Sequence, residues 1–167
     1  MSPKIKWTDG VPAKLPTRIW MPDDGDYSLQ RKKPTGIIIH SGERHEGVAE
    51  YAEHEPDGRK ISYHFAWSKK HQRLVQKVSL HHRAWHAGPK WNHALGIALS
   101  GPWSQETRRR EELEDLQMLL AELHIAFGGG LTWWRRHSDV EVGKKDPGPG
   151  LVAIEIWSHS PWWRVII

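Results

Sequence analysis

The chain contains no cysteine. Disulfides and thiolate metal sites are thereby excluded, and any metal has to be held by imidazole and carboxylate. No apolar run approaches the roughly 18 residues that cross a bilayer, so no integral membrane segment is expected. The opening residues, MSPKIKWTDG, lack the apolar stretch of a secretory signal, and synthesis in the cytoplasm is expected. Internal repeats and low-complexity segments are also missing, which leaves out solenoid and fibrous architectures.

What is present suits one folded unit. The 167 residues are 38% hydrophobic and include 11 tryptophans, enough apolar surface to offset chain entropy and build a single core. Lys and Arg number 24 against 20 Asp and Glu, a net charge of +4 that favours an anionic partner. Nucleic acid, a membrane surface and a cell-wall polymer all qualify on charge, but no nucleic-acid recognition motif is present and none is expected as partner.

Along the chain, residues 1–33 are rich in Pro, Lys and Asp without periodicity and read as an irregular arm wrapped on the domain. TGIIIHSG reads as a buried strand that delivers His40 at its C-terminal end. GVAEYAEHEPDGRK suggests a short helix ending near Pro56-Asp57-Gly58. ISYHFAWS and RLVQKVSL, separated by KKHQ, predict a hairpin. LGIALSG is a further strand. From Ser104, a potential N-cap, the spacing of Leu113, Leu116, Leu120, Leu123 and Phe127 predicts a long helix stopped by Gly128–Gly130. LTWWRRH reads as a strand running into RHSDVEVGKKDPGPG, a segment too rich in Gly and Pro for a helix. The expected fold class is α/β (mixed), a central mixed sheet flanked by helices.

Two histidines thus end separate strands, His40 and His137, and Asp146 follows nearby. Two imidazoles and a carboxylate form the ligand set of a catalytic zinc site whose fourth position is left for water. The chain holds 12 histidines, so a trio of this kind also arises by chance.

Five blocks in order, IIIHSG, SYHFAWS, HHRAWHAG, NHALGIALSG and RHSDVEVGKKDPGPG, resemble the zinc-dependent N-acetylmuramoyl-L-alanine amidases. That family includes phage endolysins, cytosolic wall-recycling enzymes and peptidoglycan-recognition proteins. The resemblance spans residues 34–150, leaving the arm and a tail of residues 151–167 outside. It implies that His40, His137 and Asp146 bind Zn2+, that Lys144 is the catalytic lysine, and that Tyr63 is the catalytic tyrosine of phage-type members. Lys144 would face the oxyanion of the tetrahedral intermediate. Tyr63 would either donate to that oxygen or orient the water, and no residue is assigned to protonate the leaving amine. The chain departs from the recycling branch at Ala98, where those members carry a glutamate.

His86 and Asn92 fall where the family lines its substrate groove, and substrate contact is expected of both. Trp85 suits a core position or a sugar platform equally. His64 reads as a satisfied core histidine on the face opposite Tyr63, and His81, His82 and His93 as solvated loop residues. Arg108–Arg110 reads as the exposed start of the long helix, with phosphate binding as the sharper reading. For the tail IWSHSPWWRVII, packing on the domain is weighed against contact with an outer membrane.

The function implied is hydrolysis of the bond between N-acetylmuramic acid and L-alanine in bacterial peptidoglycan. A monomeric phage endolysin, made without a signal peptide and reaching the wall after release, is the leading form. A non-catalytic peptidoglycan-binding module and a cytosolic recycling amidase are the alternatives.

Overall fold

Side chains alternate across a strand, so three successive isoleucines suit only a strand covered on both faces. Ile37, Ile38 and Ile39 are fully buried in strand β1, Gly36–Ser41, at the heart of the molecule. The computed structural model describes residues 6–42, 47–51, 53–54, 57–101, 109–148 and 151. After β1 comes a 3-10 turn, Val48–Glu50. The short strands β2, Glu53–His54, and β3, Lys60–Ile61, then pair antiparallel. Strands β4, Phe65–Ser68, and β5, Arg73–Gln76, form the expected hairpin, with Gln72 in the left-handed region at φ 51° where the chain reverses. Strand β6, Leu95–Leu99, and helix α1, Arg110–Ala126, follow. Strand β7, Trp133–Arg136, runs into a single helical turn α2, His137–Val140.

The main sheet has the order β5-β4-β6-β1-β7. Only β4 and β5 are antiparallel neighbours, so the sheet is mixed, as the strand patterns lead one to expect. In such sheets, sites gather at the carboxyl ends of the parallel strands. Here β1 and β7 are parallel with Ile39 opposite Arg136, which brings the residues that follow, His40 and His137, to the same end and the same height.

Helix α1 buries Leu116, Leu119, Leu120 and Leu123 against one face of the sheet, together with Ile37, Ile39 and Ile97. Each such leucine contributes about 2 kcal/mol relative to exposure. Packing of this stripe holds α1 in place more than helix propensity does. Gly128 and Gly129 end the helix at φ 58° and 77°, left-handed conformations that glycine adopts without steric cost. The other face covers Tyr63, Ala66, Val75 and Ala98 with Val48 and Ala49. The arm lies across the domain: Val11 and Leu15 enter the α1 core. The fully buried Arg18 side chain pairs with Asp115 at 2.7 Å and Glu122 at 2.8 Å, both on α1.

Several expectations need correction. Among the described residues after Gly47 only one 3-10 turn forms in place of the expected helix, because the backbone is extended again at Tyr51 and the following segment is taken up by the β2–β3 pairing. Helix α1 begins at Arg110, with Arg109 in an extended conformation as N-cap. Ser104, Arg108 and the tail IWSHSPWWRVII lie outside the described residues. Arg110 is exposed and pairs with Glu114 at 2.7 Å one turn on, while Glu111 and Glu112 offset the positive charge at the helix start. His137 opens a helical turn in a segment whose Gly and Pro content argues against one, since the glycines and prolines come only after that turn. His81 is half-buried and tied to the arm: its Nε2 lies 2.6 Å from the Val11 carbonyl and its ring packs edge-on against Trp7.

Candidate metal centre and adjoining groove

His40 reaches the site from β1 and His137 from the first residue after β7, its parallel neighbour. Asp146 is returned to them by a tight loop. Gly143 turns the chain at φ 87°, and the Ser138 N–H donates to the Asp146 carbonyl at 3.0 Å, closing the loop against α2. The Asp146 carboxylate then lies between the rings, 3.0 Å from His137 Nδ1 and 3.2 Å from His40 Nδ1. The two imidazoles are 4.4 Å apart between centroids, and a ligand atom from each of the three side chains lies within 4.8 Å of the other two.

Hydrogen bonding around the centre dictates which ring nitrogens carry protons. The Ala94 carbonyl can only accept, so His86, 3.0 Å away, presents Nε2–H to it and keeps Nδ1 as an acceptor. His40 Nε2, at 2.9 Å from that Nδ1, is therefore the donor, and the His40 Nδ1 lone pair is left aimed at the Asp146 carboxylate. Two electron-rich atoms facing each other repel unless a cation lies between them. A tetrahedral zinc site with bonds of about 2.0 Å has ligand–ligand edges of about 3.3 Å, close to the 3.2 Å that separates Asp146 Oδ2 from both His137 Nδ1 and His40 Nδ1. The donor set thus fits zinc in chemistry and in span.

The electrostatics agree with a preformed cation site. Burial pushes His40 down to about 4, which keeps its imidazole neutral and able to ligate. Burial by itself would raise Asp146, yet the flanking His137 and His40 side chains hold its carboxyl well below the usual range. Burial would lower His137, but Asp146 and Glu141 flanking it raise it instead.

His86 depends on Gly96. A Cβ at that position would lie 2.5 Å from the His86 ring, so only glycine lets the ring rest on β6 beside His40. Asn92 is 2% exposed. Its side-chain oxygen accepts the backbone N–H groups of His86 and Ala87 at 3.0 and 2.8 Å, bracing the loop that carries His86.

A groove of about 450 Å³ adjoins the trio. His86, Asn92, Glu141, Lys144, Trp85, Arg59 and Lys60 are among its lining residues, and His86 and Glu141 connect it to the trio through their contacts with His40 and His137. Trp85 is 42% exposed, so it is not a core residue, and the Arg83 guanidinium lies 5.3 Å from its ring centroid. Tyr63 is buried with its ring 5.1 Å from that of His40. All seven residues singled out in the sequence, His40, Tyr63, His86, Asn92, His137, Lys144 and Asp146, are therefore gathered at the centre or along its groove. Ala98 stands opposite His40 in the β1–β6 register and is fully buried, so β6 presents no carboxylate there.

One residue at the centre escaped the sequence reading. Glu141 Oε2 is 2.7 Å from His137 Nε2, and the available signal was its position four residues after His137, neighbours on one face once that stretch forms a helical turn. His64, by contrast, is a core histidine as expected: Nδ1 accepts the Gly96 N–H at 3.1 Å and Nε2 donates to the His82 carbonyl at 2.8 Å.

The family model for N-acetylmuramoyl-L-alanine amidase matches residues 30–149. Among solved structures, a selenomethionine derivative of AmpD is similar with a TM-score of 0.69 and 17% identity, over 88% of this chain and 96% of that one. The N-acetylmuramoyl-L-alanine amidase LysC from Clostridium intestinale URNW has a TM-score of 0.60 and 20% identity, over 86% and 96%. The Ph2119 endolysin from the Thermus scotoductus MAT2119 bacteriophage Ph2119 has a TM-score of 0.55 and 16% identity, over 81% and 90%. At these identities the likeness is one of fold. Comparison with curated protein sequences returns no match.

Proposed function

Because the chain belongs to the N-acetylmuramoyl-L-alanine amidase family, we propose that it hydrolyses peptidoglycan with a zinc ion held by His40, His137 and Asp146, and that it serves as a phage endolysin. Family membership makes it an enzyme of amide hydrolysis, acting between N-acetylmuramic acid and L-alanine. The zinc reading is carried by one observation: the His40 lone pair and the Asp146 carboxylate face each other across 3.2 Å. Zinc held there would act as a Lewis acid and would activate water at neutral pH.

The remaining chemistry falls to the chain's own side chains. Lys144 lies on the loop that carries Asp146 and lines the groove, so its ammonium can meet the oxyanion of the tetrahedral intermediate with little reorganisation. Tyr63, packed beside His40, is proposed as a hydroxyl donor at the same reacting end. His86 and Asn92 shape the groove floor against which the substrate lies, and the exposed Trp85 offers a flat face for a sugar ring. Cleavage leaves a carboxyl on the lactyl group and a free amino group on L-alanine.

The lytic role draws support from the fold shared with a phage endolysin and from Ala98, where recycling amidases carry glutamate. A single catalytic domain acting as a monomer on the wall completes the proposal. The intact ligand set disfavours a purely binding module.

The test is release of L-alanine amino termini from purified peptidoglycan, with chelator and after zinc is restored. Cleavage that stops with chelator and returns with zinc is the expected result. Wall binding by zinc-loaded protein without cleavage would overturn the proposal.

A further inference from the structure

We infer that Glu141 is a positioning residue of the metal centre: it locks the His137 ring for ligation and fastens the ring to the groove wall at Gly88. This rests on the zinc reading above. His137 turns Nδ1 to Asp146 and Nε2 to the opposite side, where Glu141 Oε2 stands at 2.7 Å. A carboxylate only accepts, so Nε2 carries the proton towards Glu141, and with zinc between Nδ1 and Asp146 the Nδ1 lone pair goes to the metal. The far ring nitrogen separates Glu141 from the ligand cluster, which makes it an outer partner and not a fourth ligand.

The two histidine ligands are held in the same way by different chemistry. His40 Nε2–H donates to the neutral ring of His86 at 2.9 Å, whereas His137 Nε2–H donates to an anion. The anionic partner raises the basicity of its imidazole more, and outer-shell partners of this kind are typically worth about 10–100-fold in metal affinity. The same Glu141 oxygen also accepts the Gly88 N–H at 3.2 Å. Gly88 belongs to the 86–92 loop that lines the groove, so one carboxylate joins the metal ligand to the substrate wall. Its side chain is 34% exposed, open to the groove and not a core element.

The experiment is zinc affinity of the full chain, measured by competition with a chromophoric chelator, for wild type, Glu141→Ala and Glu141→Gln. Glu141→Ala is expected to bind zinc about 10–100-fold more weakly, with the melting temperature of the metal-free protein little changed. Glu141→Gln, which keeps an acceptor oxygen without the charge, is expected to fall between. Wild-type affinity in Glu141→Ala would overturn the inference while leaving the zinc reading intact. Failure of wild type to take up zinc would overturn that reading and this inference together. If Glu141→Ala does not fold, Glu141→Gln decides: an altered visible spectrum of the cobalt(II)-loaded protein with weakened zinc binding supports the role, and identity with wild type in both overturns it.

Discussion

His86 Nδ1 accepts the Nε2–H of His40 across 2.9 Å, and this contact determines which nitrogen of His40 faces Asp146. Replacing the acceptor by an apolar side chain frees the His40 ring to rotate or change tautomer. His86→Leu is expected to lower zinc affinity about 10-fold or more, whereas His86→Gln, which retains an acceptor, loses less. Chelator competition measures both. Equal affinities would break the link from Ala94 through His86 to the metal.

Asp146 and Lys144 sit on one loop with separable roles. Asp146→Ala removes the carboxylate between the two rings, and zinc content and activity should fall together. Lys144→Ala leaves the ligands in place and should reduce kcat by about 100-fold or more, the scale of losing one preorganised oxyanion partner. Metal analysis beside steady-state rates distinguishes the two, and a fully active Lys144→Ala enzyme would remove the lysine from the mechanism.

His64 makes the fold acid-sensitive. Burial holds it at about 4, against about 6.5 in an unfolded chain. Its Nδ1 already accepts the Gly96 N–H, so a proton there would set two donors against each other. Its titratable neighbours are His82 and His86. The folded value is depressed, so the neutral form is favoured in the fold. The stabilisation is complete above about pH 6.5 and is lost as pH falls towards 4, about 3 kcal/mol in all. Urea unfolding of metal-free wild type and His64→Gln at neutral and acid pH should show a smaller acid loss in the variant.

Arg18 ties the arm to α1 through Asp115 and Glu122, with its own side chain fully buried. Arg18→Ala strands two carboxylates that are themselves 12% and 22% exposed. A loss of about 3 kcal/mol is expected, at the low end for breaking a buried pair because water reaches the acids. The urea midpoint should drop while the folded variant keeps its zinc affinity. An unchanged midpoint would mean that the apolar contacts of Val11 and Leu15 hold the arm alone.

Much of this protein is legible in one dimension because its signals are local. The isoleucine run, the leucines of α1 with the glycines that stop it, and the β4–β5 pattern each report on a few adjacent residues and their burial. The segment after Gly47 misled because its pairing partner, β3, is chosen by a turn and not by periodicity. Glu141 went unread because its meaning depends on a helical turn that composition argues against.

The amino-acid sequence by itself determined the absence of thiolate chemistry, the strands that end at His40 and His137, and the order of motifs that marks the family. Those properties follow from residue type and spacing. Only the tertiary structure decided which nitrogen of each imidazole faces Asp146, that Gly96 makes room for His86, that Asn92 braces its loop, and that Glu141 stands behind His137. Each depends on a few tenths of an ångström between residues far apart in the chain or on opposite sides of a turn, a distance that no spacing along the chain encodes.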